Sequence, residues 1–482
     1  MPAASSPAAF LPAHWTTERI MDLVQRRLNK RPCWYQIEAA KAFYAGQDVI
    51  GCAPTGAGKT LSFWIPVLMA QEDGLEKILF VVSPLNVLAK QNVGVLNETG
   101  VSAIAVSAEN ATVTTFKDIE KGKYSVIVTN PEILMTSDEL RDLWKASSFT
   151  SRILGLIFDE GHCIAQWGKF RKHYLAVGVI RYIIGDLIPF YVASATLPPP
   201  LISEIRQLLH LRPQKTTQIL CSNDRPDIAL MVRVLNRPSS SYEDLAFLIP
   251  RNWNESMESP KKFLVFFDNI KEAEGAKEFF HQRLLKEYYS KIFWFHSTMS
   301  QEFRDRKVED FRAGNLWGLF CTDAFGLGMD VGDVEVVVQY KATCDLNTLW
   351  QRFGRAARAS TVQGVGIILV EKKDTSDGRK KNSVGSKQGT DDLQKGRQQR
   401  QRRCNDLPQV STAHGSIMDV DMTWESTQPL MPSQATWACE RQEQYARPEV
   451  APEDLTNTKK GKAPGVLPGT AMDDYINLLL RP

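Results

Sequence analysis

The stretch "GCAPTGAGKTLSFW" (residues 51–64) follows the apolar pair Val49 and Ile50 and opens onto a run with apolar residues at helical spacing. A strand that ends in a Gly-rich loop and passes straight into a helix is a phosphate cradle, because the loop amides converge on an anion at the helix N-terminus. Gly56 and Gly58 let the backbone approach, Lys59 supplies a point charge for the β- and γ-phosphates, and Thr60 offers a hydroxyl to Mg²⁺. Pro54, Thr55 and Ala57 complete the loop, with Ala53 where the usual pattern has its first glycine. A carboxylate pair should close the metal site at the end of another apolar strand, and "LIFDEGH" (156–162) provides one. There Asp159 would hold Mg²⁺ and Glu160 would orient the attacking water. The two elements together point to ATP or GTP.

Around this loop, short apolar runs alternate with helical patterns. From about residue 35 to 220 the expected strands are "DVIGCA", "KILFVVS", "AIAVSA", "SVIVTN", "LGLIFDE" and "FYVASAT". Segments such as "LSFWIPVLMAQ" and "PEILMTSDELRDLW" read as helices between them. Nearly continuous apolar strands joined by helices imply a parallel sheet covered on both faces. The pattern repeats over roughly 229–370 with "KFLVFFD", "KIFWFHS", "LWGLFCTD", "VEVVVQY" and "VGIILV". The join "CSNDRPDIAL" (221–230) is rich in turn formers and reads as a hinge. The expected fold is α/β, two parallel-sheet lobes in tandem: an N-terminal extension over 1–30, a first lobe over 31–220 and a second over 221–370.

The bulk numbers agree with that division. The 482 residues call for two or three domains, and 43% hydrophobic with 23% charged residues is a globular composition. A net charge of +3 does not by itself mark a nucleic-acid binder. No eighteen apolar residues run together and no charged n-region precedes an apolar h-region, so neither a membrane span nor a signal peptide is expected. The eight cysteines form no C-x-x-C pair, which argues against a disulfide framework or a zinc site and for a reducing, intracellular setting. After residue 370 the character changes: 371–403 hold eleven basic and five acidic residues and almost no large apolar ones. Such a segment buries too little to offset its ordering entropy, so 371–482 is expected to be mostly disordered, its basic clusters serving as a nuclear signal, a nucleic-acid tether or neither.

"APTGAGKT", "DEGH", "SAT" and "QRFGRAAR", in this order and spacing, resemble the motif set of superfamily 2 helicases. "DEGHCIAQWGKFRKHY" further resembles the corresponding run of RecQ-type DNA helicases, as do "VVSPLNVLAKQNV", "NDRPDI" and "CTDAFGLGMDVGDVEVVVQY". The resemblance covers about residues 30–370. It implies two tandem RecA-like lobes, ATP and Mg²⁺ without zinc, and ATP-driven 3′-to-5′ movement on single-stranded or forked DNA by a monomer in the nucleus, in DNA repair or recombination. It assigns His162 to linking the nucleotide site to the second lobe, Ser194 and Thr196 to coupling hydrolysis to unwinding, and Gln36 to reading adenine. It places Gln166, Trp167, Phe170 and Arg171 on an aromatic-rich loop that feels DNA, where the charged flanks of Trp167 argue for exposure and base stacking. In the second lobe Gln351, Arg355 and Arg358 match the motif that supplies the arginine finger, with Arg358 favoured.

The sequence also departs from the family. Gly161 replaces alanine in the tetrad and would add backbone freedom beside Glu160. The aromatic-rich loop is one residue shorter, Cys33 replaces an arginine near Gln36 with Arg31 close by, and only Cys404 and Cys439 follow residue 371, too few for the family's four-cysteine zinc subdomain. Single-strand translocation is therefore better supported than strong unwinding. A nonmotor ATP-dependent clamp and an RNA helicase remain as alternatives.

Overall fold

In the computed structural model the described residues are 11–84, 86–167, 171–325, 331–359 and 361–375. Phe170, the segment 326–330 and the expected disordered tail from residue 376 onward lie outside them.

The first lobe is a seven-stranded parallel sheet of β1 (Asp48–Cys52), β2 (Ile78–Val82), β3 (Ala103–Val106), β4 (Val126–Thr129), β5 (Ile153–Phe158), β6 (Phe190–Ser194) and β7 (Thr216–Leu220). Their spatial order is β3-β4-β2-β5-β6-β1-β7. Strands β1, β2 and β6 are buried at every position, as a sheet with helices on both faces requires. Phe80, Leu156 and Phe158 face one hydrophobic core, while Leu79, Val81 and Ile157 face the other. The second lobe is a six-stranded parallel sheet of β8 (Ile228–Val234), β9 (Phe263–Phe266), β10 (Ile292–Phe295), β11 (Gly318–Cys321), β12 (Val336–Tyr340) and β13 (Gly364–Val370), in the order β10-β11-β9-β12-β13-β8. Two parallel-sheet lobes in tandem are thus observed.

Two strands were not read from the sequence. Of these edge strands, β7 ("TTQIL") is half polar, and β8 ("IALMVRV") begins inside the turn-rich join and alternates less with more exposed positions although its sequence is largely apolar. Consequently "IAL" at the end of the expected hinge is the first half of β8, and the connector shrinks to residues 221–227.

Four helices frame the phosphate loop: α1 (Thr17–Leu28), α2 (Trp34–Tyr44), α3 (Leu61–Glu72) and α4 (Asn86–Glu98). Residues 17–28, assigned to an extension by sequence, pack on the first lobe: Ile20, Leu23 and Val24 of α1 are fully buried in the core that α3 shares. Asp73, just past the end of α3, accepts hydrogen bonds from Trp15 Nε1 (2.8 Å) and Tyr44 OH (2.6 Å), which pins the start of the described chain to that lobe. No helix among the described residues is long and apolar enough to cross a membrane.

Candidate nucleotide site between the lobes

The loop between β1 and α3 has the backbone that an anion cradle needs. Gly56 (φ +88°) and Gly58 (φ +67°) sit in the left-handed region, and a Cβ at Gly56 would meet nothing. Lys59 Nζ lies across the loop, donating to Ala53 O (3.1 Å) and Pro54 O (3.3 Å), with Thr60 directly before the first turn of α3. A triphosphate fits here: the main chain is open, Lys59 brings a positive charge to the loop, and the helix N-terminus favours an anion.

Beside the loop lies a cavity of about 430 Å³ lined by Lys30, Arg31, Gln36, Gly58, Thr60 and Trp64 among others, a volume in the range of small-molecule sites. Gln36 is nearly fully buried, and its carboxamide is engaged within the protein. Its Oε1 accepts from Cys33 N (2.9 Å), and its Nε2 donates to Ala57 O (3.1 Å) and Gly58 O (2.9 Å). The side chain expected to read a base therefore braces the phosphate loop, with Arg31 on the same cavity wall. A second brace lies beneath. Tyr35 OH, Tyr191 OH and Ser62 Oγ form a buried chain at 2.9 and 2.8 Å, and Ser62 Oγ donates to Lys59 O (2.6 Å).

The tetrad begins at the end of β5. Asp159 N donates to Val82 O (3.0 Å), which fixes the carboxylate at the edge of the sheet. Burial and the neighbouring Glu160 charge push the Asp159 carboxyl up to about 7, against the opposing pull of Lys59. Glu160 itself adopts φ +47°, a left-handed conformation that costs a residue with a side chain about 1–2 kcal/mol. Strain of this kind is found where surrounding structure holds a functional side chain in place. Gly161, by contrast, is right-handed (φ −57°, ψ −19°), and a Cβ there would meet Val192 Cγ1 at 2.2 Å. Close packing against β6, and not backbone freedom, calls for glycine.

His162 is buried, and burial holds its pKa below the ordinary value, with Lys59 adding to the shift and Glu160 opposing it. Gln351 Nε2 reaches across from the second lobe to His162 Nε2 (3.1 Å) and to Thr196 Oγ1 (3.0 Å). An amide nitrogen only donates, so we assign the ring proton to Nδ1, which faces Ser194 Oγ (2.8 Å) and Glu160 Oε2 (3.4 Å). Thr196 N in turn donates to Ser194 Oγ (3.2 Å). His162, Ser194, Thr196 and Gln351 are thus one hydrogen-bonded net spanning both lobes, with the Glu160 carboxylate 3.4 Å from His162 Nδ1 at its margin.

Gln351 belongs to the helix Leu346–Phe353, and the turn after it carries Arg355 and Arg358. Gly354 of that turn lies against the phosphate loop, where a Cβ would come within 3.0 Å of Thr55 Oγ1. Arg355 is buried, and Arg358 Nε donates back to Gly354 O (3.2 Å). Two arginines that sequence reasoning did not single out organise this region. Arg352 is buried and donates to Asp268 Oδ1 (2.6 Å), Asp323 Oδ1 (2.7 Å) and Gln339 Oε1, joining the ends of β9, β11 and β12. Arg225, in the connector, donates to Thr55 O (3.2 Å) of the phosphate loop and to Ala356 O and Ala357 O (both 3.0 Å). The signal for Arg352 was an aspartate directly after each of two strands, "FFD" and "CTD"; the signal for Arg225 was its place in "NDRPDI".

On the aromatic-rich loop, Gln166 closes the short helix His162–Gln166. Trp167 is half-buried, not exposed: it packs on the first-lobe core and meets Tyr174 edge-on at 5.8 Å. Arg171 lies over both rings, pairs with Glu132 (2.7 and 2.9 Å) and donates to Pro84 O (3.3 Å). Sequence spacing could not reveal that clamp, because Glu132 and Pro84 are far away along the chain.

A phosphate cradle, a strand-end carboxylate pair and a second sheet lobe closing over them define a tandem RecA-like P-loop core. A DEAD/DEAH box helicase model matches residues 34–205, and a helicase conserved C-terminal domain model matches residues 242–360. ATP-dependent DNA helicase RecQ of Bacillus subtilis is 26% identical over 318 residues, covering 65% of this chain and 49% of that protein. RecQ of Haemophilus influenzae is 25% identical over 328 residues, covering 67% and 48%. A protein of Acanthamoeba polyphaga mimivirus named as an ATP-dependent RNA helicase is 27% identical over 344 residues, covering 71% and 58%. The chain belongs to the superfamily 2 helicases and is RecQ-like within them. It spans about half the length of the curated relatives it matches. Among solved structures, the helicase MrfA bound to DNA and AMPPNP superposes with a TM-score of 0.59 at 19% identity, covering 80% of this chain and 54% of that one. The DEAD-box helicase Mss116 bound to ssRNA gives 0.58 at 19%, covering 75% and 74%. At that identity the likeness is one of fold.

Proposed function

We propose that this chain hydrolyses ATP to move 3′-to-5′ along single-stranded DNA, opening forked duplexes as RecQ-type helicases do. The observation that carries the reading is the contact of Gln351 with His162 and Thr196, because it makes the hydrolytic carboxylate sensitive to the position of the second lobe. The amides of residues 56–60 and Lys59 would bind the phosphates, while Thr60 and Asp159 would hold Mg²⁺. When bound, that ion neutralises phosphate charge. Glu160 accepts the proton of the attacking water, held in its strained pose by the chain around it. His162 donates from Nδ1 toward Ser194 and Glu160 and accepts from Gln351, so a shift of the second lobe changes the surroundings of Glu160. Arg355 and Arg358 supply positive charge from the second lobe as negative charge develops. Arg171, bound to Glu132, Pro84 and Trp167, links the aromatic-rich loop to the sheet edge that would meet the strand.

DNA is preferred because "DEGHCIAQWGKFRKHY" resembles the corresponding run of RecQ-type DNA helicases, and the relatives of this chain include proteins named RecQ DNA helicases. The RNA reading is kept alive by the mimivirus relative. A monomer acting in the nucleus accompanies the DNA reading. The test is steady-state ATP hydrolysis without nucleic acid, with single-stranded DNA and with single-stranded RNA, beside Lys59→Ala. Stimulation by DNA of about tenfold or more, lost in Lys59→Ala, is expected. Stimulation by RNA alone moves the substrate; no stimulation with ATP-dependent binding retained leaves a clamp.

A further inference from the structure

We propose that Arg225 is a latch that registers the phosphate loop against the arginine turn of the second lobe, acting on turnover and not on nucleotide affinity. The inference rests on the ATPase reading above and adds a positioning residue to it.

Arg225 is nearly fully buried in the seven-residue connector between β7 and β8. Its Nε and Nη2 grip Asp227 at 3.0 and 2.7 Å, and a plain ion pair would stop there. Instead the fork also reaches main-chain carbonyls of both lobes: Nη1 donates to Thr55 O, and Nη2 shares its two hydrogens among Asp227 Oδ2, Ala356 O and Ala357 O. Each carbonyl lies where geometry matters. Thr55 is in the phosphate loop, and Ala357, at φ +50°, is the strained residue directly before Arg358. A planar guanidinium with five fixed donors can hold three carbonyls and a carboxylate at once; an ammonium cannot.

The arrangement is also reversible. If the lobes part, only the bond to Thr55 O breaks, while Asp227 and the turn carbonyls remain with the guanidinium. No bare buried charge appears, so opening is not blocked by the penalty that separating a buried ion pair would impose. Closure then places the turn bearing Arg355 and Arg358 at one fixed offset from the loop. The neighbouring seam repeats the register, since Trp350 Nε1 donates to Asn223 O of the same connector (3.1 Å).

The variant R225K keeps a positive charge beside Asp227 and removes the fork. It should melt close to the wild type and bind a fluorescent ATP analogue within about threefold, while kcat falls by about tenfold or more at nearly unchanged KM. Combined with R358A it should be no slower than R358A alone, because the latch works through that turn. Amide exchange over residues 354–359, measured without nucleotide, should rise in R225K. Should R225K melt early, the neutral pair R225Q/D227N removes the fork without leaving a lone carboxylate and carries the same expectations. A kcat within about twofold of wild type, an affinity loss as large as the loss in kcat, or multiplicative effects with R358A would each overturn the latch. If the wild type shows no stimulated hydrolysis, the motor reading fails while the exchange measurement still decides the latch: raised exchange supports it and unchanged exchange overturns it.

Discussion

The phosphate loop and the arginine turn face each other across one cleft but are held by different means. The loop is braced from inside its own lobe, by Gln36 on two of its carbonyls and by the Tyr35–Tyr191–Ser62 hydroxyl chain on Lys59 O. The turn contains a strained alanine and is tied by its main chain to its own lobe, Ala357 N on Val334 O (2.9 Å) and Ala359 N on Gly332 O (2.8 Å), while Arg225 of the connector holds the carbonyls of Ala356 and Ala357. Buried, fully paired polar networks rigidify what they touch. The first lobe therefore presents a site already built for phosphate, and the second lobe completes it only when the seam between them is closed. Binding should be a property of one lobe and turnover a property of two.

The sharpest way to break that contrast is to cut the seam and leave the loop alone. Gln351→Ala removes the hydrogen bonds to His162 and Thr196 and touches none of the loop braces. ATP affinity should stay near wild type, while kcat at saturating nucleic acid falls by about ten- to a hundredfold, the signature of an interaction needed after the nucleotide is bound. Titrating ATPase against nucleic acid and comparing it with ATP binding gives the answer. An affinity loss parallel to the rate loss would mean that the seam helps build the loop.

A second, smaller effect probes the first lobe by itself. With its carboxyl pushed up to about 7 by burial and Glu160, Asp159 takes up a proton as pH falls through neutrality. Mg²⁺ needs the carboxylate, so protons and metal compete: the Mg²⁺ concentration giving half-maximal ATPase should rise by about tenfold from about pH 8 to about pH 6. Saturating Mg²⁺ pulls the pKa down and should flatten the profile over the same range. The same dependence in Gln351→Ala would place the effect within the first lobe; its disappearance there would tie it to closure.

What could be read from the sequence divides along the same line. Strands buried on both faces are continuous apolar runs, and the phosphate loop is a contiguous string, so β1–β6, β9–β13 and the loop were visible. The edge strands β7, which is half polar, and β8, which begins inside the turn-rich join, were not. Sequence also put Lys59, Asp159, Glu160, His162 and Gln351 in the site, because each sits in a short contiguous motif. What it missed depends on contacts between distant segments. Arg225 lies one hundred and seventy positions from Thr55, and Arg352 eighty-four from Asp268. Gln36 was expected to read adenine because the family resemblance assigns it that role, and resemblance cannot show that its amide is bonded to the phosphate loop. Trp167 was expected in solvent from its charged flanks, yet one of those charges, Arg171, is what folds over its ring.

Gly161 gives the smallest expected effect and separates two explanations for one residue. As a source of backbone freedom, glycine would need a conformation that other residues avoid. The left-handed residue is Glu160 instead, and Gly161 has dihedrals that alanine adopts readily. What alanine lacks is room, with Val192 Cγ1 2.2 Å from its Cβ position. Gly161→Ala should therefore cost about 1–3 kcal/mol by overpacking, read as a lower melting temperature. Val192→Ala opens the space opposite, so the double variant should recover most of the loss that Gly161→Ala causes in the wild-type background, a strongly non-additive cycle. Additive effects, or a Gly161→Ala variant as stable as wild type, would show that β6 yields to the extra methyl and that packing does not select the glycine. If stability is recovered but hydrolysis stays slow, the methyl acts on Glu160 through the backbone they share, and the strained glutamate is the part of the first lobe that tolerates least.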